Sequence, residues 1–151
     1  MRKIISLISF LSLTSAVFFS ACVNEDSIKY QRYYSDGLQM YKDHCQSCHM
    51  DDGNGLASLI PPLSDTTYLK ANRKMLACYI VYGISDTINI NGKQYEGKMP
   101  AEKHLASIDL AKILTYITNS FGNKQGIFDV KEIEKNLIDC SRDTVKVASV
   151  R

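Results

Sequence analysis

Cys45-Gln46-Ser47-Cys48-His49 constrains this chain more than any other stretch. Two thiols separated by two residues can add to the two vinyl groups on one edge of a porphyrin, and the adjoining imidazole then meets the iron. A thioredoxin-like dithiol would call for an alternating strand and helix context, and half a zinc site for a second pair of ligands; the sequence offers neither. The motif therefore predicts one haem c, covalently attached through Cys45 and Cys48, with His49 as an axial ligand.

A second ligand has to be found for the iron. Histidine with a thioether suits electron transfer, because soft sulfur stabilises the ferrous state and raises the potential. Axial ligands tune haem potentials over about 0.8 V. Met50 adjoins His49 and cannot readily reach the opposite haem face, Met40 precedes the motif, and Met75 sits on an apolar helix face where core packing explains it. Met99 remains, in Gly97-Lys98-Met99-Pro100, a loop far enough along the chain to wrap the other face, with Pro100 holding Met99 extended. His44 and His104 are the alternative ligands; the commoner role of a lone histidine is an exposed or haem-edge one. A ligating imidazole donates its other N–H to a backbone carbonyl, and Pro61 or Pro62, in the loop after the motif, is placed to accept.

The N-terminal residues bear on location. Arg2 and Lys3 lead into a mostly apolar run from Ile4 to Ala21, the pattern of a secretory signal. Phe19-Ser20-Ala21-Cys22 resembles the lipobox of bacterial lipoproteins, in which the cysteine is acylated and becomes the first mature residue. On that reading residues 1–21 are removed and Cys22 anchors the chain to a membrane; the alternative is an uncleaved transmembrane anchor near the lower length limit for spanning. Either way the domain is extracytoplasmic, on the periplasmic side.

The formal charge of +2 belongs to Arg2 and Lys3, so the rest of the chain is neutral. Such a chain has no general field for polyanions, which argues against nucleic acid as a partner. Its length suits one domain. Of the five cysteines, Cys78 and Cys140 remain once Cys22 takes lipid and Cys45 and Cys48 take haem. An oxidising compartment favours a disulfide between such a pair, against the blander reading of two buried thiols.

Along the chain, residues 22–34 are polar and mixed in charge and read as a tether. Ser35 or Asp36 is the expected cap of a short helix in which Leu38, Tyr41 and Cys45 recur at helical spacing. Residues 50–65, with Gly53, Gly55, Pro61 and Pro62, form a loop. A second helical region starts near Asp65 and restarts at Asn72, with Met75, Leu76, Tyr79 and Ile80 on its apolar face and Gly83 as its stop. Asn91-Gly92 centres a small hairpin. Ser107 is the expected cap of a third helix striped by Leu110, Ile113, Leu114 and Ile117, and Asp129 that of a further helix before a weakly patterned tail.

With these motifs in order, the chain resembles the class I cytochrome c family over residues 35–123, especially the bacterial small domains found alone or fused to respiratory enzymes. Its haem motif is followed by a glycine loop, Pro61-Pro62-Leu63 and Ser64-Asp65; then come Tyr95, Gly97, Met99-Pro100 and Asn119-Ser120-Phe121-Gly122-Asn123. Phe121 stands where the family usually has tryptophan, which deletes an indole N–H. The resemblance implies an all-α, cytochrome c-like fold of three main helices around the haem; residues 124–151 run past the family's usual end and read as a C-terminal helical extension. It implies a haem pocket that includes Pro61, Pro62, Tyr95 and Pro100, and a close crossing of Gly37 and Tyr41 against the third helix near Leu114 and Ile117. Cys78 and Cys140 have no counterpart in the family pattern.

The implied activity is transfer of single electrons between redox partners such as a terminal oxidase, dehydrogenase or reductase. The sequence shows no nucleophile and base pair, second metal cluster or nucleotide loop, which suits a carrier rather than an enzyme. Two other readings stay open: a haem-based gas sensor with a weak or absent methionine ligand, and an electron-input subunit of a larger oxidoreductase.

Overall fold

Helix α1 (Glu25–His44) carries the chain straight into the Cys-x-x-Cys-His turn. The computed structural model of the protein describes residues 24–148, with side-chain surroundings through Cys140; the expected signal at 1–21 and Cys22 lie outside the described residues. Asn24 caps α1, its side-chain oxygen accepting from the Asp26 N–H at 3.1 Å, and Glu25 and Asp26 place negative charge at the positive end of the helix. The expected tether over 22–34 and the cap at Ser35 or Asp36 are therefore corrected: the cap is Asn24, eleven residues before Ser35. The cause is a stripe of tyrosines set among the charges. Tyr30 and Tyr34 stack with centroids 6.0 Å apart, Tyr33 is buried, and Tyr34 and Tyr41 lie 5.2 and 5.3 Å from the ring of Tyr116.

The helical path continues across Cys45 into the single turn α2 (Gln46–His49), with the His49 N–H on the Cys45 carbonyl at 2.9 Å. After the glycine- and proline-rich loop come two short helices, α3 (Thr66–Ala71) and α4 (Leu76–Tyr82). Asp65 caps α3 by accepting from the Tyr68 N–H at 2.8 Å. Asn72 ends α3, its side-chain amide donating to the Tyr68 carbonyl at 2.9 Å, so the restart falls at Leu76 rather than at Asn72. Met75 thereby becomes the residue before α4 and is exposed, not on the core face expected of it.

Strands β1 (Ile88–Ile90) and β2 (Lys93–Tyr95) pair antiparallel, Ile88 opposite Tyr95, around Asn91 and Gly92, which both have positive φ. Helix α5 (Ser107–Ile117) follows and is buried along its second half. Its cap position is Ala106, which makes no side-chain bond; Ser107, the expected cap, is the first helical residue. Where α1 crosses α5, Gly37 lies on the backbone of Lys112: a Cβ added there would stand 2.1 Å from the Lys112 oxygen and 2.9 Å from Cβ of Tyr116. The crossing is as close as the resemblance implied, on the Lys112 and Tyr116 side of α5.

Helix α6 (Val130–Ala148) closes the domain against α4 and α5. Asp129 starts it by accepting from the Lys131 N–H at 2.9 Å, and the helix runs on through the tail that had looked weakly patterned. Two links tie this extension to α4 and the turn before it. Cys78 on α4 and Cys140 on α6 form a disulfide. Arg73 forks onto Glu132 at 2.8 and 2.9 Å, donates to the Ile127 carbonyl at 3.0 Å, and lies 3.7 Å from the centroid of the Phe128 ring. The described chain is thus helical but for one hairpin and its loops. No helix among the described residues is long and apolar enough to cross a membrane.

Candidate haem-binding site

Several sections of the chain wall an apolar cavity. Cys45 and His49 line it beside Pro61, Pro62 and Leu63 of the following loop; Leu76, Tyr79 and Ile80 line it from α4; Leu114 and Ile117 line it from α5. Ile88 and Ile90 of β1 and Met99 complete the lining named here. A concave space lined by apolar side chains with few polar groups is of the kind that holds a cofactor.

His49 is buried, and its Nδ1 lies 3.2 Å from the Pro61 carbonyl oxygen. A carbonyl only accepts, so the ring proton sits on Nδ1 and the lone pair is left on Nε2. Burial pushes the imidazole pKa down, partly opposed by the bond to Pro61, and so keeps the ring neutral as a metal ligand must be. The Cys45 thiol is pushed up to about 12, first by burial and then by the charges of Glu102 and Cys48. Cys48 is exposed. Among the described residues these two are the cysteines outside the disulfide, one inside the rim of the cavity and one open to solvent.

Met99 is held by its backbone. Its N–H donates to the Ile84 carbonyl at 2.9 Å and its carbonyl accepts from the Ile84 N–H at 3.0 Å. This approach needs glycine at position 83, which ends α4 with φ +73°; a Cβ there would lie 2.5 Å from the Met99 oxygen.

The other expected site residues fall as follows. Pro61 and Pro62 line the main cavity, whereas Pro100 borders an adjoining cleft together with Cys48, His49 and Met99. Tyr95 is buried but does not line either space; it sits across the hairpin from Ile88, with the Lys93 ammonium 5.1 Å from its ring centroid. His44 lies 3.5 Å from Glu102, at a cleft that also touches Cys45 and Cys48, and His104 is exposed. Met40, Met50 and Met75 border none of these spaces.

Ile84, Ile88, Ile90 and Tyr68 also line the cavity, although no motif marks them. For Ile88 and Ile90 the alternation of a strand was the available signal, since it turns both to one face. Ile84 has no such mark.

The residues present fit haem c. The lining suits a flat apolar macrocycle, the Cys45 thiol borders it, the Cys48 thiol borders the adjoining clefts, and a neutral imidazole and a thioether border the same space.

The chain is also similar in sequence to known proteins. The family described as cytochrome c matches residues 34–120. Cytochrome c-552 of Thermus thermophilus is 26% identical over 110 residues, covering 67% of this chain and 83% of that protein. The cytochrome subunit of fructose dehydrogenase from Gluconobacter japonicus is 28% identical over 109 residues, 67% of this chain but 22% of that protein. The cytochrome c subunit of a quinone alcohol dehydrogenase from Gluconobacter oxydans is 27% identical over 104 residues, 66% of this chain and 21% of that subunit.

Proposed function

The chain belongs to the cytochrome c family and has covalently bound haem c as its cofactor, and on that premise we propose that it is a mono-haem carrier moving single electrons between extracytoplasmic redox partners. In this reading Cys45 and Cys48 hold the haem by thioether bonds, and His49 and Met99 ligate its iron. The observation that carries it is that His49, fixed by Pro61, borders the same apolar cavity as Met99.

When bound, the haem supplies the chemistry by alternating between ferric and ferrous iron. The chain's part is to hold that change within one geometry. Pro61 fixes the His49 ring through Nδ1 and makes it a better donor. The apolar lining excludes water and disfavours added positive charge, which favours the reduced state, as the soft thioether of Met99 also does. Were His49 and Met99 both to hold the iron, no position on it would be left for a substrate.

Residues 1–21 act in this proposal as a removed signal and Cys22 as the acylated anchor. Residues 35–123 form the haem domain, with α1 extending it towards the anchor, and residues 124–151 form the extension.

The test is a potentiometric titration of the haem-loaded protein followed by carbon monoxide. A carrier gives a single one-electron wave, and its reduced form resists carbon monoxide. Rapid binding of the gas would instead favour the sensor. A second reading, a subunit that feeds electrons to a larger oxidoreductase, is favoured by the dehydrogenase subunits among its relatives. Stoichiometric co-purification with such a partner in mild detergent would establish it.

A further inference from the structure

We propose that the C-terminal extension, acting through the Cys78–Cys140 bond, positions the Met99 loop and so guards the sixth coordination position of the iron. The proposal rests on Met99 being the ligand. Helix α4 links the two. Leu76, Tyr79 and Ile80 on α4 line the haem cavity, whereas Cys78 on the same helix is bonded to Cys140 of α6. Arg73, just ahead of α4, is gripped by Glu132 of α6 and by the Ile127 carbonyl.

The far end of α4 carries the ligand loop. Gly83 ends the helix against the Met99 carbonyl, Ile84 and Met99 exchange two backbone hydrogen bonds, and the Glu102 N–H donates to the Ile80 carbonyl at 2.9 Å. The earlier part of the loop is set separately, with Gly97 against the Leu59 carbonyl. The extension therefore acts on the Met99 end of the loop. A thioether is a weak ligand, and its hold on the iron is only as firm as the backbone that presents it. Releasing α6 frees α4 to shift, raises the population in which Met99 is detached, and opens the iron to an outside ligand in the same proportion. Cys78, Cys140 and Arg73 are thus positioning residues for Met99.

Imidazole binding to the ferric, haem-loaded protein reads this population directly, because imidazole competes with Met99. The double variant Cys78→Ala/Cys140→Ala is expected to bind imidazole on the order of ten-fold more tightly than wild type. Glu132→Gln moves in the same direction by less and carries the comparison if the double variant does not accumulate folded. Asn24→Ala, which removes the cap of α1 far along the chain from the haem motif, should leave the affinity unchanged. Unchanged affinity in the extension variants, or an equal rise in Asn24→Ala, overturns the proposal. Met99→Ala should bind imidazole tightly and respond no further to loss of the disulfide. If Met99→Ala binds no more tightly than wild type, the ligand assignment fails, and that failure is distinct from failure of the staple.

Discussion

At Gly37 a single added methyl decides how closely two helices approach. Its would-be Cβ meets a backbone oxygen, which cannot rotate away as a side chain can. Gly37→Ala should therefore lower stability by about 1–3 kcal/mol through overpacking, measured as a shift in denaturant midpoint with the haem retained. The residues at the centre of the site were legible because their chemistry depends on spacing within one short segment: Cys45, Cys48 and His49 belong to one turn. Met99 was reached by elimination, and Pro61 as an acceptor from the needs of a ligating imidazole. Tyr95 was placed at the pocket by resemblance, yet Ile88 and Ile90 of the partner strand line the cavity instead. Arg73 was not legible, because its partners come from positions 127 to 132 and no local pattern announces them.

Among the elements, α1 shows what sequence patterning conceals. Its first ten residues are rich in charge, and the tyrosines that bury it are amphipathic, so no run of aliphatic side chains marks the start. Asn24→Ala removes the cap and should cost about 1 kcal/mol, seen as a lower thermal midpoint. The split between α3 and α4 was partly readable, since Asp65 and Gly83 are strong signals for a helix start and stop. The side chain of Asn72, turned back on its own helix, moved the restart to Leu76. Extension α6 is fixed by a crosslink between residues 62 apart. On the loop-closure account its removal should cost about 4 kcal/mol; a Cys78→Ala/Cys140→Ala protein should show that loss on chemical denaturation.

For the whole molecule, the buried phenol of Tyr41 and the half-buried one of Tyr68 bear on the alkaline limit. Burial pushes Tyr68 up to about 12 from an ordinary 10.0, and it raises Tyr41 as well. The folded state therefore keeps phenolic protons that the unfolded chain releases. Stability from this source is fully present below pH 10 and is lost as the pH rises through about 12. Urea midpoints measured from pH 8 upward should fall above pH 10, and more shallowly in Tyr68→Phe. The order of motifs along the chain made the architecture legible at this scale, since each haem-facing segment follows the next as in the family. The Cys78–Cys140 bond was expected from the two cysteines left over in an oxidising compartment, whereas the grip of Glu132 on Arg73 was not, because a sequence does not say which distant residues meet.

The central claim is that haem c is held with His49 and Met99 on its iron, and optical spectra test it most directly. The protein is matured with a cytochrome c assembly system, and wild type and Met99→Ala are compared as ferric, ferrous and alkaline pyridine forms. The account predicts a haem c pyridine spectrum in both proteins and a far-red thioether-to-iron band that is present in wild type and lost in Met99→Ala. A band that survives the substitution, or a protein carrying no covalent haem, would contradict it.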